Sequence, residues 1–318
     1  MKTIYYIIYK IINNLLVDIQ FTNTLPLIFS KNDININSKE LIFDISHSTT
    51  HLGDRLFLIN LLRVLLENNF KLQIIDNSDF SIFNLYQMIY GESIPQHICN
   101  GDSLVIILKS SFLSKRRLYK TILVIDFTNI DCIGKISIVI ANSFLSFFKL
   151  NVNYRSHTSK FSFVNNSNSI YGDNLIIFNN YLHSGKFRKY FLNTNILNMK
   201  CEQLKSSGYK IIHVGSSEDK SHDHNLYPFV DLDLRGKIAI EELIKLIGSK
   251  SVVGVVTYDN FIMHVSLASN KITWVLFRGR FTRTQQYHHI NNVNNTFDSS
   301  NRNLIYLRLL KNFPPEVN

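Results

Sequence analysis

The stretch that decides the fold runs from Ser251 to Gly279 and reads SVVGVVTYDNFIMHVSLASNKITWVLFRG. It contains two apolar runs, SVVGVV and ITWVLF, which are rich in the β-branched and aromatic residues typical of buried strands. Between the runs, Ile262 and Val265 repeat at helical spacing after the polar pair Asp259-Asn260. The stretch therefore predicts a strand–helix–strand unit, with the polar pair at the junction where the first strand ends and the helix begins.

Strand-like and helix-like segments alternate in the same way from residue 40 onward. The segment DRLFLINLLRVLLENN places its leucines on one helical face. The strand-like segments are continuous apolar runs, as expected for a parallel sheet that helices cover on both faces. These segments are ELIFDIS, KLQIID, SLVIILK, TILVIDF, ISIVIA, DNLIIFNN and YKIIHVG.

The order of the segments predicts an α/β protein of two Rossmann-like domains that face an interdomain cleft. We interpret the polar stretch at residues 193–208 as the linker between them. The predicted boundaries are an N-terminal extension at 1–39, a first domain at 40–200 and a second domain at 201–318.

Composition narrows the class of partner. The chain has 318 residues, 45% of them hydrophobic, which is enough for two domain cores, and a formal net charge of +10. A basic balance favours an anionic partner. However, the only dense basic clusters are SKRRLYK and FRGRFTR, and no nucleic-acid-binding motif accompanies them. We therefore expect a phosphorylated ligand or a membrane surface rather than nucleic acid. The three cysteines form no metal-ligand pattern and suggest a reducing, cytoplasmic location.

The N-terminal segment MKTIYYIIYKIINNLLVDIQF carries isoleucines and leucines at the spacing of an amphipathic helix. Lys10 and Asn13 interrupt its apolar run, and no small-residue cleavage site follows, so a signal peptide is not predicted. Two interpretations stay open. The helix packs on the protein's own core, or it lies on the inner face of the cytoplasmic membrane as a peripheral anchor.

Three loops follow predicted strands at the edge where open α/β sheets bind ligands. In SHSTTHLGDRLF, Asp54 is either the cap of the following helix or a general base for an acceptor hydroxyl. In HVGSSEDK, the hydroxyls of Ser216 and Ser217 and the charge of Lys220 suit phosphate oxygens.

The third loop is the junction in the opening stretch. The exposed amides at the helix start there form an anion site, so Asn260 is a candidate phosphate contact. Asp259 is placed to bind a sugar or ribose hydroxyl, or to cap the helix. His264 lies about one turn into the helix and is interpreted either as a phosphate or sugar ligand or as a core histidine.

Four segments, in this order along the chain, resemble glycosyltransferase family 9, the heptosyltransferases. THLGDRLFLINLLRVLL resembles the family's Gly-Asp helix start, and IIHVGSSEDK resembles its phosphate loop. LRGKIAIEEL and DNFIMH resemble the two elements of its donor-binding half, although Phe261 stands where the family has glycine. The resemblance implies a GT-B fold and an inverting glycosyltransferase that needs no metal or other cofactor besides its nucleotide-sugar donor.

Under that resemblance, Asp54 is the expected base, and the donor residues are Ser216, Ser217, Lys220, Asp259, Asn260 and His264. The acceptor is expected to be an anionic lipooligosaccharide or bacterial surface polysaccharide of the capsule or O-antigen type. Further phosphate or acceptor contacts are expected from His51, Arg278, Arg280 and Arg283. His222 and His224 could bind metal, but no matching carboxylate–histidine set accompanies them, so no metal site is assigned. The alternatives are a non-catalytic nucleotide-sugar-binding or scaffold protein, which Phe261 favours, and a nucleotide-sugar epimerase with the same fold.

Overall fold

The computed structural model describes residues 27–30, 39–46, 52–78, 80–99, 103–108, 118, 121–125, 144, 148, 163, 165–181, 194–258, 260–276 and 304–307. The chain divides into two units. The first comprises Met1–Thr50, Leu58–Ser78 and Pro95–Thr158, and the second comprises His51–Phe57, Asp79–Ile94 and Ser159–Asn318. Among the described residues, none of the helices is long and apolar enough to cross a membrane.

The described residues of the first unit form a five-stranded sheet. Its strands are β1 (Leu27–Ser30), β2 (Glu40–Asp44), β3 (Lys71–Ile75), β4 (Leu104–Leu108) and β5 (Thr121–Ile125). They lie in the order β1-β5-β4-β2-β3, and every pair is parallel except β1 with β5. The prediction of an extension at 1–39 is therefore wrong in part, because β1 is an edge strand of this sheet. The predicted amphipathic helix and the predicted strand ISIVIA lie outside the described residues.

In the N-terminal half of the chain, the described residues include two helices. Helix α1 (Leu52–Glu67) matches the predicted leucine-rich helix, and its apolar face is buried at Leu58, Leu61, Leu62 and Leu65. Helix α2 (Ile82–Tyr90) was not predicted. Its first residue is preceded by Ser81, whose side chain accepts from the amide of Asn84 while the Asn84 side chain accepts from the amide of Ser81. This reciprocal pair supplies partners for amides that a helix start leaves without one.

Within the part of the second unit that the structure describes, six strands form one sheet, and all of their pairings are parallel. In chain order its elements are β6 (Leu175–Phe178), α3 (Thr194–Ser206), β7 (Lys210–His213), α4 (Ser217–His222), β8 (Leu232–Asp233), α5 (Ile240–Gly248), β9 (Val252–Tyr258), α6 (Phe261–Ala268), β10 (Ile272–Leu276) and β11 (Leu304–Leu307). The opening stretch thus forms the predicted strand–helix–strand unit, β9-α6-β10.

The predicted domain boundary at 200/201 is wrong, because β6 pairs with both β7 and β9 and so belongs to the second sheet. The predicted linker at 193–208 is also wrong. It forms α3, which packs on the sheet through the buried side chains of Leu197, Cys201 and Leu204. Burial raises the pKa of the Cys201 thiol, as expected for a core residue.

The strand order of the second sheet is β11-β10-β9-β6-β7-β8. If the strands of this unit are renumbered from its first strand, β6, the order is that of the Rossmann fold. The direction of winding reverses between β6 and β9. Ligands of such sheets bind outside the carboxyl ends of the two strands at this reversal, so the topology points to the residues that follow β6 and β9.

Candidate functional site

The site begins at the start of α6, beside the carboxyl end of β9. Asn260 is the residue before the helix, and its side-chain Oδ1 accepts from the amides of Ile262 at 3.0 Å and Met263 at 3.3 Å. The side chain of Asn260 is therefore an N-cap, and the predicted strand-to-helix junction is confirmed. Asp259 lies outside the described residues.

Asn260 is held in turn by the segment that follows β6. Its Nδ2 donates to Oδ1 of Asn179 at 2.7 Å and to the carbonyl oxygen of Tyr181 at 3.1 Å. Asn179 is 2% exposed. The two strand ends at the winding reversal are thus joined by side-chain amides rather than by apolar packing alone.

His264 lies in a helix that is buried along nearly its whole length. Its side chain is 9% exposed, and every residue from Ile262 to Ala268 is buried. Its backbone amide donates to the carbonyl oxygen of Asn260 at 3.4 Å, as the helical ladder requires. This burial favours the core interpretation of His264, and its contact with a phosphate or sugar stays a prediction.

The Ser216 loop is already occupied by a carboxylate from its own helix. The amide of Ser216 donates to Oδ2 of Asp219 at 2.9 Å, and its hydroxyl donates to Oδ1 at 2.7 Å. The amide of Asp219 donates back to the Ser216 hydroxyl at 3.1 Å. A Cβ atom on Gly215 would lie 2.9 Å from Cβ of Asp219, so the room that this glycine leaves is filled by Asp219. The Ser216 donors form a capping box, which disfavours their predicted contact with phosphate, and that contact stays a prediction.

The other two predicted residues of this loop are at the surface. Ser217 and Lys220 are both exposed, and they are the first and fourth residues of α4. Lys220 lies in the last turn of this six-residue helix, where a cation interacts favourably with the helix dipole. These two residues keep their predicted donor role only as a prediction.

A buried polar network lies next to the winding reversal, on the side of β7 and β8. Nδ2 of Asn180 donates to Oδ2 of Asp223 at 2.5 Å and to the hydroxyl of Tyr227 at 2.8 Å. Oδ1 of Asn180 lies 3.0 Å from Nε2 of His213. The guanidinium of Arg235 is 2% exposed and donates to the backbone oxygen of Asp223 at 2.6 Å. The network therefore holds the segment after α4 against the strand ends.

Charges in this network are compensated within it. Burial, and then the nearby Arg235, lower the pKa of His213 to about 3, so this histidine is neutral. Although burial opposes it, hydrogen bonds from Arg235 lower the pKa of Asp233 to about 2. Burial and the adjacent Asp223 carboxylate raise the pKa of Tyr227 to about 12. A buried cation with a paired carboxylate and satisfied neighbours is the usual condition of a stable buried charge.

The predicted base lies inside α1 rather than in front of it. Because the helix begins at Leu52, Asp54 is its third residue, and the interpretation of Asp54 as the N-cap is wrong. Its side chain lies outside the described residues. The next residue, Arg55, is 5% exposed, and its Nη1 donates to the carbonyl oxygen of Phe80 at 3.1 Å. This bond fixes the first turn of α1 within the second unit, to which His51–Phe57 belongs.

Several predicted residues lie outside the described residues, namely His51, Arg278, Arg280 and Arg283. Among the described residues, no group of three or more His, Cys, Asp or Glu side chains could hold a metal ion. His222 instead stacks on Tyr181, with ring centroids 5.7 Å apart, and its Nε2 lies 3.5 Å from Oε1 of Glu218.

Sequence reasoning missed the segment after β6. The two strand-end asparagines follow a buried run, where asparagine is an ordinary turn residue, so nothing marked them as special. The sequence continues as YLHSGKFRKYF, with Lys186, Arg188 and Lys189 about ten residues after the strand end. A basic cluster after the first strand of a Rossmann unit indicates a site for an anion. The cluster has this meaning only if β6 is assigned to the second unit.

No family model matches the chain, and no curated protein matches its sequence. Solved structures do match. A glycosyl transferase family 9 protein from Veillonella parvula is 14% identical over 89% of this chain and 90% of its own, with a TM-score of 0.55. The E. coli ADP-heptose lipopolysaccharide heptosyltransferase II is 15% identical over 85% and 91%, also at 0.55. The E. coli heptosyltransferase WaaC, solved with ADP, is 12% identical over 85% and 93%, at 0.53.

The chain has the fold of glycosyltransferase family 9. The match extends over both α/β units, so the GT-B fold class that the sequence predicted is confirmed. At 12–15% identity the likeness concerns the course of the backbone, and it does not transfer the role of any single side chain.

Proposed function

We propose that this protein is an inverting, metal-independent glycosyltransferase. It would move a sugar from a nucleotide-sugar donor to a lipooligosaccharide or surface-polysaccharide acceptor. The observation that carries the proposal is the Rossmann strand order of the second unit, within a fold shared with family 9 over 85–89% of the chain. In sheets with that order, ligands bind outside the carboxyl ends of the strands at the winding reversal, which supports a donor site beyond β6 and β9.

The donor we propose is an adenosine-diphosphate sugar. Its support is that WaaC was solved with ADP and that heptosyltransferase II is named for ADP-heptose. The diphosphate would lie at the start of α6, where the helix dipole favours negative charge. Positive charge would come from the cluster Lys186, Arg188 and Lys189 and from the predicted Arg278 and Arg280. The Ser216 loop is the weaker candidate, since Asp219 already takes its donors.

The reaction would be a single displacement. Asp54 would take the proton of an acceptor hydroxyl, and the hydroxyl oxygen would attack the anomeric carbon on the face opposite the diphosphate. The bond from the anomeric carbon to the diphosphate oxygen would break, and the nucleoside diphosphate would leave with the electron pair. Neutralising that departing charge would be the protein's main electrostatic contribution. Inversion at the anomeric carbon follows from attack on the opposite face.

The acceptor we propose is anionic and lies at a membrane surface. Its support is the net charge of +10 and the basic segment FRGRFTR that follows β10 in the sequence. Such an acceptor fits a protein located in the cytoplasm and bound peripherally to the inner face of the membrane.

A second candidate is a protein that binds nucleotide sugars without turnover. Two observations favour it. Phe261 occupies the first position of α6, where family 9 has glycine, and Asp219 carries a negative charge into the loop expected to bind phosphate.

A thermal-shift series with ADP, UDP, GDP and ADP-heptose tests the donor class. A nucleotide at 100 times its dissociation constant stabilises the native state by about 2.7 kcal/mol, a shift that is easily resolved. We expect ADP and ADP-heptose to raise the melting temperature, and UDP and GDP to raise it less. Release of ADP from ADP-heptose would then separate an enzyme from the non-catalytic candidate, and an altered sugar still bound to ADP would indicate an epimerase. If none of the four ligands shifts the melting temperature, the proposed donor class is wrong.

A further inference from the structure

One buried side chain joins three strand ends in the second unit. Asn179 follows β6 directly, and its Nδ2 donates to the carbonyl oxygen of Val214, just after β7, at 2.9 Å. Its Oδ1 accepts from Nδ2 of Asn260, at the start of α6, at 2.7 Å. The hydroxyl of Thr257, near the end of β9, lies 3.5 Å from the same Oδ1. With 2% exposure, Asn179 has no solvent to replace these partners.

We propose that Asn179 is a positioning residue that sets the loop after β7 and the first turn of α6 relative to each other. A buried amide satisfies both partners only while they keep this separation, because a lost partner leaves a desolvated polar atom unpaired. Asn260 in turn orients the amides of Ile262 and Met263. The inference rests on the proposed function in one respect: the start of α6 is where we place the diphosphate.

The chain provides a matched control in the next residue. Asn180 has the same side chain and is 5% exposed, but it bonds to His213, Asp223 and Tyr227, on the other side of β6. Both substitutions remove one buried asparagine from the same strand end. If both residues only stabilised the fold, the two substitutions would have similar effects. If Asn179 is a positioning residue, the two substitutions should loosen different segments of the chain.

Hydrogen exchange of the full chain, measured by mass spectrometry, distinguishes these cases. We expect Asn179→Ala to speed exchange about tenfold at residues 214–217 and 260–265, which corresponds to about one lost hydrogen bond. We expect Asn180→Ala to speed exchange at 223–227 and to leave 260–265 within about twofold of the wild type. Unchanged exchange at 260–265 in Asn179→Ala, or a uniform increase over the whole second unit, would overturn the proposal.

A near-isosteric variant tests the hydrogen-bond roles themselves. In Asn179→Asp, an ionised carboxylate would face the carbonyl oxygen of Val214, and two acceptors repel each other. Protonation of the introduced carboxyl group would restore the donor. Burial raises the pKa of such a carboxyl group, so the folded state prefers the protonated form and loses stability as pH rises. We expect the deficit in melting temperature, relative to the wild type at the same pH, to shrink from pH 8 to pH 5.5. The deficit of Asn179→Ala should stay constant, and equal behaviour of the two variants would count against the proposed bonds.

Affinity for ADP, measured by calorimetry, links the positioning to the site. We expect Asn179→Ala to raise the dissociation constant of ADP about tenfold while the protein stays folded. Unchanged affinity for ADP in that variant would show that Asn179 does not position the binding site. If the wild type itself does not bind ADP, the proposed donor class fails, and the exchange contrast between the two variants decides the positioning role alone.

Discussion

At the scale of single residues, the reciprocal hydrogen bonds of Ser216 and Asp219 show how one carboxylate can occupy the donors of a loop. A serine after a strand, followed by a helix, is a common phosphate-binding arrangement. Here, however, Asp219 follows Ser216 by three residues and makes the loop a capping box. The Asp219 carboxylate accepts from both the amide and the hydroxyl of Ser216. The spacing S-x-x-D was visible in SSED at positions 216–219 and favours the cap.

A substitution separates the two roles of Ser216. We expect Ser216→Ala to lower the free energy of unfolding by about 1 kcal/mol through loss of the cap. Affinity for ADP should stay unchanged. Chemical denaturation and calorimetry measure the two quantities, and Ser217→Ala is the control, because that exposed neighbour should change stability by less than about 0.5 kcal/mol. An intact fold with clearly weaker ADP binding in Ser216→Ala would return Ser216 to the phosphate site.

The position of Asp54 inside α1 allows one substitution to test its predicted role as the general base. We expect Asp54→Asn to reduce sugar transfer by about 10²–10⁴-fold, the usual loss of a general base. Because Asp54 is the third residue of the helix, we expect loss of its interaction with the helix dipole to cost about 0.3–1 kcal/mol of stability.

The control for Asp54 is on the same helix. Glu67→Gln also removes one negative charge, from the last residue of α1, where Glu67 pairs with Arg63 at 2.7 Å. It should leave the transfer rate and ADP affinity near wild type. Turnover in Asp54→Asn close to that of Glu67→Gln would remove Asp54 from the chemistry.

His213 makes stability depend on pH in a defined window. Its folded-state pKa of about 3 lies below the ordinary value of 6.5, so the unfolded chain binds the additional proton between these values. The stability it contributes is complete above pH 6.5 and is lost as pH falls toward 3. One proton corresponds to a slope of at most about 1.4 kcal/mol per pH unit.

We therefore expect the free energy of unfolding to decline from pH 6.5 to pH 4.5 in the wild type and to be flatter in His213→Gln, which keeps a donor. Urea denaturation at closely spaced pH values measures both curves. Asp223 and Asp233 titrate below their ordinary value of 3.8 and act at lower pH. Parallel curves for the two proteins in the window would contradict the assignment to His213.

At the scale of elements, Gly254 shows why a strand of valines contains one glycine. A Cβ atom there would lie 2.6 Å from a ring carbon of Trp274 and 2.9 Å from the carbonyl oxygen of Ile272, on the neighbouring strand β10. The indole ring occupies the place of a side chain on β9. The glycine is thus required by packing and not by an unusual backbone angle.

We expect Gly254→Ala to lower the free energy of unfolding by about 1–3 kcal/mol, the usual cost of adding volume to a packed core. Adding Trp274→Leu should relieve part of this cost, so a double-mutant cycle by denaturation should give a favourable coupling energy. Additive effects of the two substitutions would mean that the ring is not the obstacle.

At this scale, an element is predicted well when its own residues determine its structure. It is predicted poorly when its place depends on which strand it pairs with. The buried strands and α6 were found because continuous apolar runs and helical spacing are local signals. The sequence of helix α3 predicts a linker because its apolar residues are few, and they form a core only through the sheet on which they pack. The membership of β6 depends on hydrogen bonds to β7 and β9, whose paired residues are 35 and about 78 positions away in the chain. No local pattern records such a choice.

At the scale of the whole molecule, the wrong assignment of β6 also changes which loop is predicted to bind the ligand. If β6 is assigned to the first domain, β7 becomes the first strand of the second domain. The Ser216 loop, which follows β7, is then predicted to bind the ligand. The observed order puts the winding reversal at β6 and β9, so Asn179 lies beside it, whereas Ser216 follows β7. The α6 start was predicted correctly because its strand, junction and helix are contiguous in the sequence.

The N-terminal segment is predicted to bind the whole chain to a membrane. Residues 1–20 carry the amphipathic pattern, whereas the sheet begins at Leu27 with β1, so deleting residues 2–20 leaves the described fold complete. We expect the full chain to float with vesicles containing anionic phosphatidylglycerol and the truncated chain to float much less, because the apolar stripe supplies the binding area. Raising the salt to about 0.5 M should weaken binding of the full chain only in part, since salt screens the contribution of the +10 charge but not that of the apolar face. Equal flotation of the two chains at low salt, abolished for both at high salt, would assign binding to surface charge alone. A truncated chain that melts at a much lower temperature without any change in flotation would instead show that the segment packs on the protein's own core.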